Sequence, residues 1–161
     1  MKKETIITPN RRYRYQLYRK TAAADKKVCF IMLNPSTADE EEDDHTIRHC
    51  IDFARRLGYG ELYAVNLYAW RARDPRELVK PPHENRIGPE NDSFIKRCAR
   101  NCDLTVVAWG ALKDPVQQSR AKLVTGWLSD PKALVLTKDG HPRHPLTLPR
   151  DSELSDFPGY G

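Results

Sequence analysis

Four short apolar runs rich in β-branched and aromatic residues, Val28–Leu33, Leu62–Leu67, Leu104–Trp109 and Ala133–Thr137, constrain this chain more than any other feature. Runs of that length and composition read as buried strands. The stretches between them have helical spacing. The first puts Ile47, Cys50, Ile51, Ala54 and Leu57 on one face, with arginines opposite and Gly58 as a stop. The second, from about Glu90 to Asn101, turns Phe94, Ile95, Cys98 and Ala99 inward. The third opens at Asp114–Pro115 and is expected to bury Val116, Leu123, Val124 and Trp127.

Strand, helix, strand repeated three times implies parallel strands joined by crossovers, with helices on both sheet faces. The expected fold is therefore α/β, a three-layer α/β/α sandwich with a central, mainly parallel four-stranded sheet. Before it, Arg12–Arg19 alternates basic and aromatic residues and suits an edge strand or hairpin, so residues 1–27 read as a basic, aromatic extension packed on the domain. Residues 146–161, rich in Pro, Asp and Gly, read as an irregular C-terminal tail. Lys80–Pro89 contains three prolines and a glycine and reads as a long loop within one domain spanning residues 1–161, because strands lie on both sides of it.

A single core is sufficient for 161 residues. No apolar run approaches the roughly 20 residues needed to span a bilayer, and the first residues lack the apolar stretch of a signal peptide, so a cytoplasmic location and no membrane partner are expected. Cys29, Cys50, Cys98 and Cys102 lie in apolar-periodic segments without CxxC pairs, which predicts free thiols, no disulfide, no structural metal and no cofactor. The net charge of +5 conceals a run of six acids, Asp39 to Asp44; outside it 27 basic residues face 16 acidic ones. Such a surplus attracts phosphate groups, on nucleic acid or on a nucleotide, and is equally compatible with a solvated basic surface.

In open parallel sheets ligands bind beyond the carboxyl ends of the strands, and here those ends are polar. The first strand runs into Asn34, Ser36 and Thr37, and the second into Asn66, Trp70, Arg71 and Arg73. The third ends in Trp109 and Gly110, and the fourth leads to His141 and His144. An asparagine offers both a donor and an acceptor, so Asn34 can position a water and Asn66 can read a base edge; either is also an ordinary turn residue. Ser36 and Thr37 can donate to a phosphate or cap a turn. Trp70 or Trp109 can stack on a base, with Arg71 and Arg73 on its phosphate, although large aromatics at sheet ends also serve as core. Gly110 admits close approach of a ligand or simply makes a turn. His141 and His144 can stabilise a leaving group or form plain His-Pro turns. Asp44 or Thr46 can cap the first helix, and the acidic run reads as a solvated loop more readily than as a cation site. No nucleophile elbow, P-loop or GxGxxG fingerprint is present.

Phe30 to Asp39, Asn66 to Arg71, Trp109-Gly110 and His144-Pro145-Leu146 together resemble DUF1643, a family of uncharacterised bacterial and phage proteins, over nearly the whole chain. More remotely, the order of motifs is similar to that of the uracil-DNA glycosylase superfamily. The resemblance implies that Asn34-Pro35 stands where an Asn-Pro or Asp-Pro loop positions the attacking water. It also implies that His144-Pro145-Leu146-Thr147 stands where a late histidine holds the leaving base, with His141 as the other candidate. Met32 and Ser36 depart from that pattern at positions often occupied by glycine, and the iron–sulfur cysteines of some branches have no match. These motifs lead to a protein that recognises a base in a nucleotide, nucleoside or nucleic acid, with hydrolysis of the N-glycosidic bond as its candidate reaction. The alternatives are a non-catalytic nucleotide or nucleic-acid binding module and a magnesium-dependent phosphate-handling enzyme using Ser36, Thr37 and the acidic run.

Overall fold

The computed structural model of the chain describes residues 2–35, 38–39, 41–72 and 74–160. It is a mixed α/β fold built on a seven-stranded sheet. Strands β1 (Lys3–Ile7) and β2 (Arg14–Lys20) form a hairpin, followed by β3 (Lys27–Met32), helix α1 (His45–Arg56) and β4 (Glu61–Asn66). Helices α2 (His83–Ile87) and α3 (Asn91–Asn101) precede β5 (Leu104–Val107). Helix α4 (Pro115–Thr125) and the two-residue strands β6 (Lys132–Ala133) and β7 (Ser155–Asp156) complete the order. Single 3-10 turns lie at Pro75–Val79 and Pro145–Thr147.

The sheet order is β1-β2-β4-β3-β5-β6-β7. Pairing of β4, β3, β5 and β6 is parallel, and both flanks are antiparallel. One crossover leaves β3 toward β4 and the next returns past it to β5, so the strand order reverses at β3. The crevice at such a reversal is where open sheets bind ligands. Val28, Phe30 and Met32 pack with Ile47, Cys50, Phe53 and Ala54 of α1 in one apolar cluster. Cys29, Ile31 and Val65 pack with Ile95 and Cys98 of α3 and with Ala121 and Val124 of α4 in a second. This period of two along β3 assigns its successive side chains to opposite faces.

Several expectations are corrected. The four expected runs pair in parallel as β4, β3, β5 and β6, but the sheet is wider, with seven strands, because the expected N-terminal hairpin joins it, β2 pairing with β4 through Leu17↔Ala64 and β1 taking the edge. The fourth run is a strand only at Lys132–Ala133, after which Thr137 and His141 close a turn and Leu136 bridges Pro142. The proline-rich segment holds the short helix α2, and the C-terminal tail contributes the edge strand β7, where Ala133 meets Ser155. In α4, Val116 and Leu123 are 46% and 55% exposed, while Gln117, Arg120, Ala121 and Val124 face inward. Arg120 is accommodated because its Nε donates to the Leu67 carbonyl at 3.0 Å and its Nη2 to Asp92 Oδ1 at 2.7 Å. All four cysteines are free thiols. Among the described residues no helix is long and apolar enough to cross a membrane.

Candidate functional site

A pocket of about 330 Å³ opens beyond the carboxyl ends of β3 and β4, between the N-terminus of α1 and the loop that carries His144. Its polar lining is Arg14, Asn34, Asp44, Asn66 and His144, with His45 and Thr46 from the start of α1; Met32, Ile47, Ala72 and Leu146 supply apolar surface. The volume lies within the usual range for small-molecule sites.

Asn34 is placed by continued pairing of β3 and β4 past their regular ends, where Leu67 N–H donates to the Met32 carbonyl and Tyr68 N–H to that of Leu33. Its Nδ2 donates to the carbonyls of Ala72 at 3.0 Å and Pro35 at 3.1 Å. Two carbonyl acceptors fix the amide's orientation, and Oδ1 of this pocket-lining residue accepts from no described residue. Asn66 closes β4, and its own carbonyl is held by Asn91 Nδ2 at 2.9 Å from the α3 side. Its Oδ1 meets Arg14 Nη2 at 3.5 Å, whereas its Nδ2 is buried with no partner among the described residues.

Arg14 is 2% exposed. Its Nη1 donates to the Ala38 carbonyl at 3.0 Å, and its Nε is buried without a described partner. Burial pushes its pKa down to about 10; Asp44 opposes that shift, and Arg71 and Arg19 add to it. The side chain reaches the pocket because of a bulge. Ile6 pairs with Gln16 but Ile7 with Arg14, so Tyr15 is an extra residue in β2. Arg14 thereby joins Leu17 and Arg19 on the α1 side, while Tyr15 stacks on Phe94 of α3.

Asp44 caps α1, its Oδ1 accepting from Ile47 N–H at 2.9 Å, and lines the pocket as well. His144 caps the turn Pro145–Thr147, its Nδ1 accepting from Leu146 N–H at 3.2 Å. That bond leaves the ring proton of the neutral imidazole on Nε2. Partial burial lowers the His144 pKa below the ordinary 6.5, favouring the neutral ring; the charge of Asp44 opposes this and His49 adds to it. Gly110 backs this histidine: its φ is +85°, and a Cβ there would lie 3.8 Å from His144 Cβ.

The structure thus brings Asn34, Asn66 and His144 to one pocket and puts other candidates elsewhere. Trp109 is buried on the opposite face, with Nε1 donating to Tyr160 Oη at 2.7 Å and its ring edge-on to Phe157. His141 contacts Tyr160 Oη at 3.2 Å beside a separate cleft bordered by Lys113, Lys122 and Asp139. Trp70 lies under the Arg12 guanidinium, 4.7 Å from the ring centroid, and outside the pocket lining. Arg71 donates to the Arg11 carbonyl at 3.4 Å and acts on Arg14 only through its charge. Ser36, Thr37 and Arg73 lie outside the described residues.

The acidic run is tied down by protein donors. Asp39 Oδ1 accepts from Glu41 and Glu42 N–H, Asp43 pairs with Arg19 Nε at 2.7 Å, and Arg19 also donates to the carbonyls of Asp39 and Glu42. Among the described residues no three His, Cys, Asp or Glu side chains are grouped to hold a metal ion. Arg14 and the pocket role of Asp44 escape a reading of strand ends alone, because Arg14 begins a strand and Asp44 reads as a cap.

A family model described as protein of unknown function (DUF1643) matches residues 14–146. The chain belongs to that family. The matched span of this DUF1643 protein begins at Arg14 and ends at Leu146, two residues that line the pocket. No curated protein and no solved structure matches the chain.

Proposed function

We propose that this DUF1643 protein binds a base, carried by a nucleotide, nucleoside or nucleic acid, in the pocket below His144, and hydrolyses its N-glycosidic bond. The convergence of Asn34, Asn66 and His144 on one pocket at the strand reversal carries this reading. Asn34 Oδ1 would orient a water, whose oxygen bonds to the anomeric carbon as the bond to the base nitrogen breaks and whose released proton passes to solvent. Asn66 reads the base edge. His144 Nε2–H donates to the departing base, which takes the bonding electron pair. The catalytic contribution is positioning and leaving-group stabilisation, without a covalent intermediate. The pocket's place at the sheet, with clusters of apolar residues on both faces, supports the finer expectation of a glycosylase-like three-layer arrangement.

Mass spectrometry of free bases released from a panel of nucleotides and of uracil- or modified-base oligonucleotides tests the reaction. Native protein should release one base, and Asn34→Ala should lower that rate about a hundredfold or more while binding persists. Release undiminished in Asn34→Ala would remove the assigned role. One observation favours a non-catalytic binding module as a second reading. Met32, 3% exposed with its sulfur 3.9 Å from Cys50 Sγ, lines the pocket where glycosylases of the superfamily often have glycine. A pure binder would bind a base and release none from any substrate.

A further inference from the structure

Two residues of the pocket lining each carry a buried donor that meets no acceptor among the described residues: Arg14 Nε and Asn66 Nδ2, on side chains 2% and 1% exposed. Asn66 Oδ1 faces Arg14 Nη2, so the amide offers its donor end beyond that contact. Among the described residues no carboxylate forms an ion pair with Arg14; Asp44 favours its charge from a distance, and burial outweighs that effect. A buried guanidinium with one N–H unpartnered and a buried amide N–H without an acceptor are both costly, and a ligand supplying oxygen atoms would relieve both. A guanidinium and an amide NH₂ are donors only, so an amino group placed against them would meet donor against donor. A dianion would satisfy the donors but would share the pocket with the Asp44 carboxylate and a single guanidinium.

We infer that Arg14 and Asn66 set ligand specificity: the inner edge of the ligand carries oxygen acceptors and at most one negative charge. A carboxylate or the carbonyl edge of an oxo-base meets that requirement; a phosphate dianion or an exocyclic amino group does not. The inference rests on the proposed use of this pocket for binding, and not on hydrolysis. Arg14 lies outside every motif that resembles the glycosylases, so the specificity belongs to this chain's own bulged strand.

Binding of uracil, hypoxanthine, adenine, benzoate and inorganic phosphate to the full chain, followed by ligand-observed NMR and calorimetry, tests it. Uracil, hypoxanthine or benzoate should bind saturably, with adenine and phosphate about tenfold or more weaker; the benzoate arm separates a carboxylate ligand from an oxo-base. Asn66→Asp keeps the side-chain shape and pairs with Arg14, and should weaken the oxygen-edged ligand about tenfold or more. Arg14→Met should do the same, and if it fails to fold, Asn66→Asp and the selectivity of the native protein decide. Adenine or phosphate binding as tightly, full affinity in Asn66→Asp, or no saturable ligand in the panel each overturns the inference. Oxo-base binding without base release leaves it standing and removes the hydrolytic reading. Release of adenine does the reverse.

Discussion

His144 combines a partly buried imidazole with a committed Nδ1, and its protonation state reports on the integrity of the site. Its folded pKa is depressed below the ordinary 6.5 by burial, against the pull of Asp44 and reinforced by His49. The unfolded chain therefore binds the proton more readily, and stability falls as pH drops through 6.5 toward the lower folded value. Urea unfolding at a series of pH values should show this component in the native protein and its loss in His144→Asn. An unchanged pH dependence in the variant would mean that the ring titrates as an exposed one. Other polar residues act at this scale by holding backbone: Asn91 and Arg120 both bond the Leu67 carbonyl, which fixes where β4 ends and hence where Asn66 stands.

At the scale of elements, burial separates strands that position the site from surfaces that do not. Leu17 of β2 is fully buried and packs in the α1-side cluster, so Leu17→Ala should cost about 2–5 kcal/mol of unfolding free energy. Leu123, 55% exposed on α4, should accept Ser within about 0.5 kcal/mol. Chemical denaturation of both variants checks the contrast, and the helical pattern alone predicts the opposite for Leu123. That pattern is legible in α1, where Ile47, Cys50 and Ala54 are buried as the spacing indicates. In α4 it holds for Val124 and fails for Val116 and Leu123, because a buried, doubly bonded Arg120 takes the inward face, a partnership between distant residues that periodicity cannot register.

For the whole molecule, sheet continuity links the N-terminal hairpin to the pocket. β2 lies between β1 and β4, and its first residue, Arg14, lines the site. Deletion of residues 1–21 would strip the hydrogen-bonding edge of β4 and expose Ala64 and Leu62. The truncated chain should therefore lose cooperative unfolding as well as ligand binding, as followed by circular dichroism during heating. A truncated chain that unfolds cooperatively near the native temperature would show the hairpin to be an accessory.

The sequence by itself determined the parallel strands, the α1 face, the free thiols and the family, because each depends on local period or a contiguous motif. It also marked Asn34, Asn66 and His144, polar residues at or beyond strand ends. Tertiary structure alone decided that these three share a pocket while Trp109 and His141 do not, since strand order, not chain order, sets which ends are neighbours. It likewise decided the place of Arg14. Uninterrupted alternation would group that residue with Gln16 and Tyr18, and the single extra residue Tyr15 reverses its face and turns a strand-initiating arginine into part of the site.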